Sequence, residues 1–123
     1  MTSRRLKTSP AEYARARKIA VARLWQCRPG DEPLTYGNLA ELIDMPHYAG
    51  NFWKVLDGLS REVVNRQGPP ISVLVVNAGT LLPSGLFYRL ARELRFEFED
   101  EEAFAQEQTD AALGWIDSHP DYD

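Results

Sequence analysis

LTYGNLAELI at residues 34–43, GNFWKVLDGLSREVV at 50–64 and PPISVLVVNAGTLLPSGL at 69–86 carry the most regular patterns of this chain. In the first segment, Thr35 can cap a short helix over about 36–43, since its hydroxyl can accept a hydrogen bond from a free backbone N–H. In the second, apolar residues recur at helical spacing and predict an amphipathic helix over about 49–66. These residues are Phe52, Val55, Leu56, Leu59 and Val63. Asp44-Met45-Pro46 separates the two helices.

The third segment predicts a β-hairpin. Residues 71–76, ISVLVV, are apolar and mostly β-branched, which is typical of a buried strand. Asn77-Ala78-Gly79 has the composition of a turn, and Thr80-Leu81-Leu82 can form a return strand. Because the connection is too short for a crossover helix, we expect antiparallel pairing. The predicted fold class is mostly α with a small antiparallel β-hairpin (α+β), arranged as a winged helix-turn-helix core with extra N- and C-terminal helices.

Further helices are predicted on both sides of this core. Ser9-Pro10-Ala11-Glu12 has the pattern of a capping box, and Pro29-Gly30 is expected to end the helix that it starts. Ser84 can cap a helix that runs to about residue 94, and Asp100 can cap one that runs to about 116. We therefore expect a flexible basic arm at 1–8, a single winged-helix-like domain at 9–117 and a frayed acidic tail at 118–123.

The composition indicates an ordinary globular chain. Of its 123 residues, 44% are hydrophobic, which is enough for a core. No apolar run reaches the roughly 18 residues that span a bilayer, and none follows the basic N-terminus as in a signal peptide. Cys27 is the only cysteine, so an intrachain disulfide or a cysteine cluster for zinc is excluded. We expect a cytoplasmic protein without a cofactor or a membrane partner.

The charge is unevenly distributed. Residues 1–66 hold 11 Lys and Arg against 7 Asp and Glu, a net charge of +4, whereas residues 67–123 hold 3 against 11, a net charge of −8. Such asymmetry can indicate a basic binding face beside an acidic one. It can equally reflect two ordinary solvated surfaces, and the sequence leaves both interpretations open.

The sequence favours a non-enzymatic protein, with no catalytic or metal-binding residue. Cys27 follows a predicted helix, where the helix dipole raises a thiol pKa instead of lowering it. His47 and His119 are far apart in the sequence and no G-x-S-x-G or phosphate-loop motif is present. The acidic run at 97–102 lacks the spacing of a calcium loop, and a solvated helix start explains it better.

The helix-turn-helix pattern predicts a nucleic-acid interface, since the second helix of that motif lies in the major groove. Asn51 and Lys54, near the start of the second helix, could reach base edges. Arginines farther along would contact phosphates, and the 77–79 turn would form the tip of a wing. The predicted nucleic-acid-binding residues are Arg4, Arg5, Lys7, Asn51, Lys54, Arg61, Arg66 and Asn77.

Two other functions stay open beside a duplex-DNA-binding module. The first is a protein–protein interaction module or homodimer that uses the acidic C-terminal helix and an exposed Trp53, Trp115 or Tyr122, although Trp53 is more often a core-edge residue at such a position. The second is a small-molecule enzyme or sensor, which would need a deep polar pocket around His47 with Tyr36 or Tyr48.

Residues 34–86 resemble the C-terminal domain of the alkylguanine-DNA alkyltransferases and the related alkyltransferase-like proteins. The best match is Thr35-Tyr36-Gly37-Asn38-Leu39-Ala40, which is similar to the Pro-Tyr-Gly-x-hydrophobic-Ala opening of that domain, and a helix, a proline and an apolar segment follow it. The resemblance covers under half of the chain. It implies a winged helix that binds duplex DNA and flips a base outward.

The chain departs from this family at the residues that carry its chemistry. Pro70-Ile71-Ser72-Val73 stands where the family has Pro-Cys-His-Arg, so the acceptor cysteine, the histidine and the arginine are absent. The family's arginine that fills the vacated base stack has no counterpart in Tyr48-Ala49-Gly50-Asn51. The sequence therefore predicts a DNA-docking scaffold and excludes alkyl transfer.

Overall fold

The computed structural model describes residues 9–122. These residues form five α-helices, a 3₁₀ turn and two very short strands. In chain order they are α1 (Pro10–Leu24), β1 (Leu34–Thr35), α2 (Tyr36–Ile43), α3 (Gly50–Asn65), the 3₁₀ turn (Ile71–Leu74), β2 (Val75–Val76), α4 (Gly85–Glu93) and α5 (Glu101–Ser118). The mostly helical class predicted from the sequence is confirmed.

The starts of the helices follow the capping residues of the sequence. At α1, the Glu12 N–H donates to Ser9 Oγ at 3.1 Å while the Ser9 N–H donates to Glu12 Oε1 at 2.9 Å. The side chains of Thr35, Ser84 and Asp100 accept in the same way at the starts of α2, α4 and α5. Each cap satisfies a backbone donor that the helix itself leaves free.

The end of α1 was predicted wrongly. The helix stops at Leu24, with Trp25 as its C-cap, and does not continue to Pro29-Gly30. Pro29 and Gly30 lie instead inside a compact turn after the helix, in which the Arg28 N–H donates to Asp31 Oδ2 at 2.9 Å. This local bond offers the backbone an alternative to further helix.

The predicted antiparallel hairpin was also wrong. Val75 and Val76 pair in parallel with Leu34 and Thr35, so β2 adds to a strand that precedes α2. Most of the expected first strand, residues 71–74, is the 3₁₀ turn. Two buried hydrogen bonds account for this turn. Ser60 Oγ of α3 accepts from the Ser72 N–H at 2.9 Å and donates to Ser72 Oγ at 2.7 Å.

The expected return strand at 80–82 does not form. Instead, residues 77–82 make a tight loop, in which the Asn77 N–H donates to the Leu82 carbonyl at 2.9 Å and the Leu81 N–H donates to the Asn77 carbonyl at 2.7 Å. Leu81 has a positive φ of 61°, a conformation that ends any extended pairing there. The parallel partner of β2 is possible because α2 and α3 supply a crossover of sufficient length.

The buried core joins elements from both ends of the described chain. Leu24 of α1, Leu39 of α2, Phe52 of α3, Ile71 of the 3₁₀ turn and Ile116 of α5 are all almost fully buried. α1 packs against both α2 and α3, and α5 packs against the 3₁₀ turn. This arrangement places α3 between α1 and the 3₁₀ turn, while Gly50 and Lys54 in its first turns stay exposed.

The residues around α5 complete the packing. Phe98, in the segment before α5, stacks on Phe104 with ring centroids 4.0 Å apart. After α5, the Trp25 Nε1–H donates to the His119 carbonyl at 2.8 Å, and the ring of Tyr122 stacks on Trp25. Within residues 9–122 no helix is both long and apolar enough to cross a membrane.

Candidate nucleic-acid interface

The turn between α2 and α3 projects from the surface. Asp44 ends α2 in the left-handed conformation, with a φ of 58°, and this turns the chain sharply. Tyr48 is 84% exposed, an unusual value for an aromatic side chain. α3 then begins at Gly50 without a side-chain cap from Ala49, and a Cβ added at Gly50 would meet nothing within 4 Å. The first turn of α3 is therefore open to a large partner.

Lys54 lies one turn into α3 and is exposed. Beside it, the Tyr13 Oη of α1 donates to the Lys54 carbonyl at 3.3 Å, so the start of α1 runs alongside this part of α3. Ser9, one turn before Tyr13, is where the described chain begins. The predicted contacts Arg4, Arg5 and Lys7 lie outside the described residues.

Asn51 is placed less favourably for reading bases. It is half-buried, and its Oδ1 atom is enclosed by the protein. A bidentate contact with adenine needs both the oxygen and the nitrogen of the amide. The side chain therefore does not present the donor–acceptor pair that the sequence suggested.

Arg61 is engaged within the protein. Its Nη2 atom lies 2.8 Å from Oε1 of Glu93 on α4, and Arg89 reaches the same carboxylate at 3.9 Å. Asp57, one turn before Arg61, is half-buried, and burial raises the pKa of its carboxyl despite the nearby Arg61. The Asp57 carboxyl lies on this side of α3 between Lys54 and Arg61.

Arg66 and Asn77 also have partners in the fold. The Arg66 guanidinium lies over the ring of Tyr122, 4.8 Å from its centroid. Asn77 is exposed, but its Oδ1 accepts the Gly79 N–H at 2.8 Å in its own turn. Since the loop does not close a hairpin, Asn77 is not at the tip of a wing.

The face predicted from the sequence therefore divides into two halves. Near the start of α3, Tyr48, Gly50 and Lys54 are exposed together. Near its end, Glu62 pairs with Arg17 of α1, whose Nε donates to Oε2 at 2.9 Å, and this hydrogen bond lowers the pKa of the carboxyl. Among the ion pairs of residues 9–122, Lys54 in the first half has no carboxylate partner, whereas Arg61 and Glu62 in the second half are both paired.

The other chemical candidates have ordinary environments. Cys27 lines a half-open cavity of about 330 Å³, and burial raises the pKa of its thiol although Arg23 Nη1 lies 3.8 Å from the sulfur. His47 is exposed, while the Tyr36 hydroxyl is turned inward and accepts the Ser84 N–H at 2.9 Å. Among residues 9–122, no three His, Cys, Asp or Glu side chains are grouped so that they could hold a metal ion.

The prediction from sequence did not identify two features of the surface. The exposure of Tyr48 had a signal, since Tyr48 lies between two amphipathic helices and belongs to the apolar stripe of neither. The cluster of Trp25, Trp115 and Tyr122 had none, because its members are up to 97 positions apart and come together only when α5 packs. Trp53 packs against Tyr36 and Phe52 at the edge of the core, as expected.

Comparisons with protein-family profiles, with curated proteins and with solved structures find nothing that matches the chain. The resemblance of residues 34–86 to the alkyltransferases thus stays a prediction from the residues quoted above. At the position of the family's acceptor cysteine, Ile71 is fully buried among core side chains.

Proposed function

We propose that the chain is a non-enzymatic nucleic-acid-binding module that docks on duplex DNA. The observation that carries this proposal is the exposed start of α3: Tyr48, in the turn before the helix, is 84% exposed, and Lys54, one turn into the helix, is exposed too. In a helix-turn-helix, the first residues of the second helix contact the major groove. α2, the 44–49 turn and α3 supply that order, and α1 packs against both helices.

The proposal retains the helix-turn-helix part of the winged-helix interpretation. A docked duplex would meet the start of α3 first, with Lys54 on phosphate or guanine and Tyr48 against the sugar–phosphate backbone. Arg4, Arg5 and Lys7 would add phosphate contacts.

Because the net charge is −4, duplex DNA would be bound only through a restricted basic part of the surface. Lys54 with Arg4, Arg5 and Lys7 gives about four phosphate contacts, for which log K is expected to fall with log salt at a slope of about −3.6. The acidic surface of α5 would face away from the duplex or repel it. We therefore expect weak binding at physiological salt and measurable binding at about 50 mM.

Fluorescence anisotropy of a labelled duplex, titrated at about 50 mM and about 200 mM salt, tests the proposal. Lys54→Glu should weaken binding about tenfold and reduce the salt slope by about 1 to 2, since a phosphate contact is replaced by repulsion. Arg95→Glu, an equal change of charge at an exposed position after α4, is the matched control and should have little effect. Absence of duplex binding at the lower salt would overturn the proposal.

A protein–protein interaction module is the second candidate, and the exposed acidic surface of α5 favours it. The carboxylates of this helix that point to solvent are Glu101, Glu102, Glu107, Asp110 and Asp117. Light scattering over a hundredfold range of concentration tests self-association. A mass that stays at 14.0 kDa throughout would exclude a homodimer in that range.

A further inference from the structure

Tyr122 occupies an aromatic slot that is formed by Trp25, Glu62, Arg66 and Trp115. Its ring stacks on the indole of Trp25, with centroids 4.7 Å apart and planes 13° from parallel. The indole of Trp115 contacts it edge-on, at 5.5 Å and 69°. These four residues are called the Tyr122 slot below. Trp25 is the C-cap of α1, Glu62 lies in α3, Arg66 is the C-cap of α3, and Trp115 lies in α5.

The Tyr122 slot makes polar contacts with both the edge and the face of the Tyr122 ring. Tyr122 Oη donates to Glu62 Oε1 at 2.9 Å, and the guanidinium of Arg66 lies over the ring at 4.8 Å. The segment is held at a second point, where the Trp25 Nε1–H donates to the His119 carbonyl at 2.8 Å. The slot thus recognises a flat ring that carries a hydrogen-bond donor at its rim.

A nucleobase has the same three properties as the ring that now fills the slot. It has a π face that can stack on Trp25, it accepts a cation over that face, and its N–H groups can donate to a carboxylate such as Glu62. Proteins that bind single strands use aromatic side chains and arginine in this way. When residues 119–122 are removed, the slot is bordered by two cations, Arg17 and Arg66, and by one carboxylate, Glu62. Its net charge is then positive, which favours an anionic strand.

We propose that the Tyr122 slot is a nucleobase-stacking site for single-stranded nucleic acid, which the chain's own Tyr122 keeps closed. This inference rests on the proposed nucleic-acid function and assigns it a second site, away from Lys54. The exposed Asp121, next to Tyr122, places a negative charge beside the stacked ring, as a phosphate lies beside a base. An aromatic peptide of another protein is the competing occupant, but the cations at the rim favour the nucleotide.

Opening the slot should create affinity for a short single strand. We expect Tyr122→Ala to bind a labelled oligodeoxythymidylate of about eight nucleotides roughly tenfold more tightly than the unaltered chain, since one stacking position becomes free. Tyr122→Phe keeps the stacked ring and should bind like the unaltered chain. A chain that ends at Ser118 opens the slot by a second route and should match Tyr122→Ala. Tryptophan fluorescence should be quenched as the strand binds, because Trp25 would contact a base.

Arg66→Gln in the Tyr122→Ala background should remove most of the gained affinity for the single strand. Arg95→Gln in the same background should leave that affinity unchanged. The peptide SHPDYD, added in excess, should displace the oligonucleotide from Tyr122→Ala. If neither opened variant binds the strand more tightly than the unaltered chain, or if the opened variants bind only the peptide, the inference is overturned. Lys54→Glu should weaken duplex binding without removing the gain for single strands, so failure at one site is distinguishable from failure at the other.

Discussion

At the scale of single residues, whether a charged side chain near α3 can meet a ligand depends on its partners in the fold more than on its residue type. Lys54 and Arg61 are both cations on this helix, yet only Lys54 is without a carboxylate partner among the ion pairs of the described residues. Glu93, which neutralises Arg61, lies 32 positions later on α4. The sequence could predict that Lys54 is exposed, because it lies opposite the apolar stripe. It could not predict the pairing of Arg61, which depends on where α4 packs.

Glu62 gives a pH-dependent prediction at this scale. Its carboxyl has a pKa below the usual 4.5, chiefly because Arg17 donates hydrogen bonds to it, and Tyr122 adds another. A lowered carboxyl pKa stabilises the folded state above about pH 4.5, and that stabilisation is lost as pH falls through the lowered pKa. Glu62→Gln should therefore reduce the free energy of unfolding by about 1 kcal/mol at pH 7, after allowance for partial exposure.

Urea denaturation at pH 7 and at about pH 3 checks this expectation. The difference between Glu62→Gln and the unaltered chain should shrink at the lower pH. Glu97→Gln, at an exposed position before α5, serves as the control and should change little at either pH. A difference that stays constant with pH would contradict the assigned role of the Arg17–Glu62 pair.

At the scale of elements, local signals predicted the helices and failed for the strands. The starts of four helices followed from Ser9, Thr35, Ser84 and Asp100, since a capping bond joins residues two or three positions apart. β2 could not be placed in this way. Its partner, Leu34–Thr35, is only two residues long and has no alternation to detect, and residues 71–74 are held in a 3₁₀ turn by the distant Ser60.

Gly68 provides a prediction about how elements meet. It follows α3, and a Cβ added there would lie 2.5 Å from Val63 Cγ1 and 2.6 Å from the Nε1 of Trp115 on α5. Because the indole has little room to move, Gly68→Ala should destabilise the protein by about 1–3 kcal/mol. Gly37→Ala is the contrasting control: its Cβ meets nothing within 4 Å inside α2, so it should stabilise by about 0.5–1 kcal/mol. Equal effects of the two changes in urea denaturation would show that α5 does not pack closely on the end of α3.

At the scale of the whole molecule, the uneven charge of the sequence becomes two different kinds of surface. Several cations of the first half are used inside the fold, as Arg17 is by Glu62 and Arg66 by Tyr122. The acidic residues of α5 lie at exposed positions. Charge counting left open a basic binding face or two ordinary solvated surfaces, and the contacts of Arg17 and Arg66 within the fold reduce the charge that such a face could present. The sequence could thus predict which residues are charged, but not which of the cations contact other parts of the fold.

The parallel pairing of β1 with β2 has a kinetic consequence. It joins two dipeptides across about forty residues, and such a contact forms only after the intervening loop has lost the entropy of closure. α2 and α3 lie wholly inside that loop, so they can form early from local contacts, while the register of Leu34 with Val75 is established late. We expect changes at Val75 mainly to accelerate unfolding, and changes in α3 mainly to slow folding.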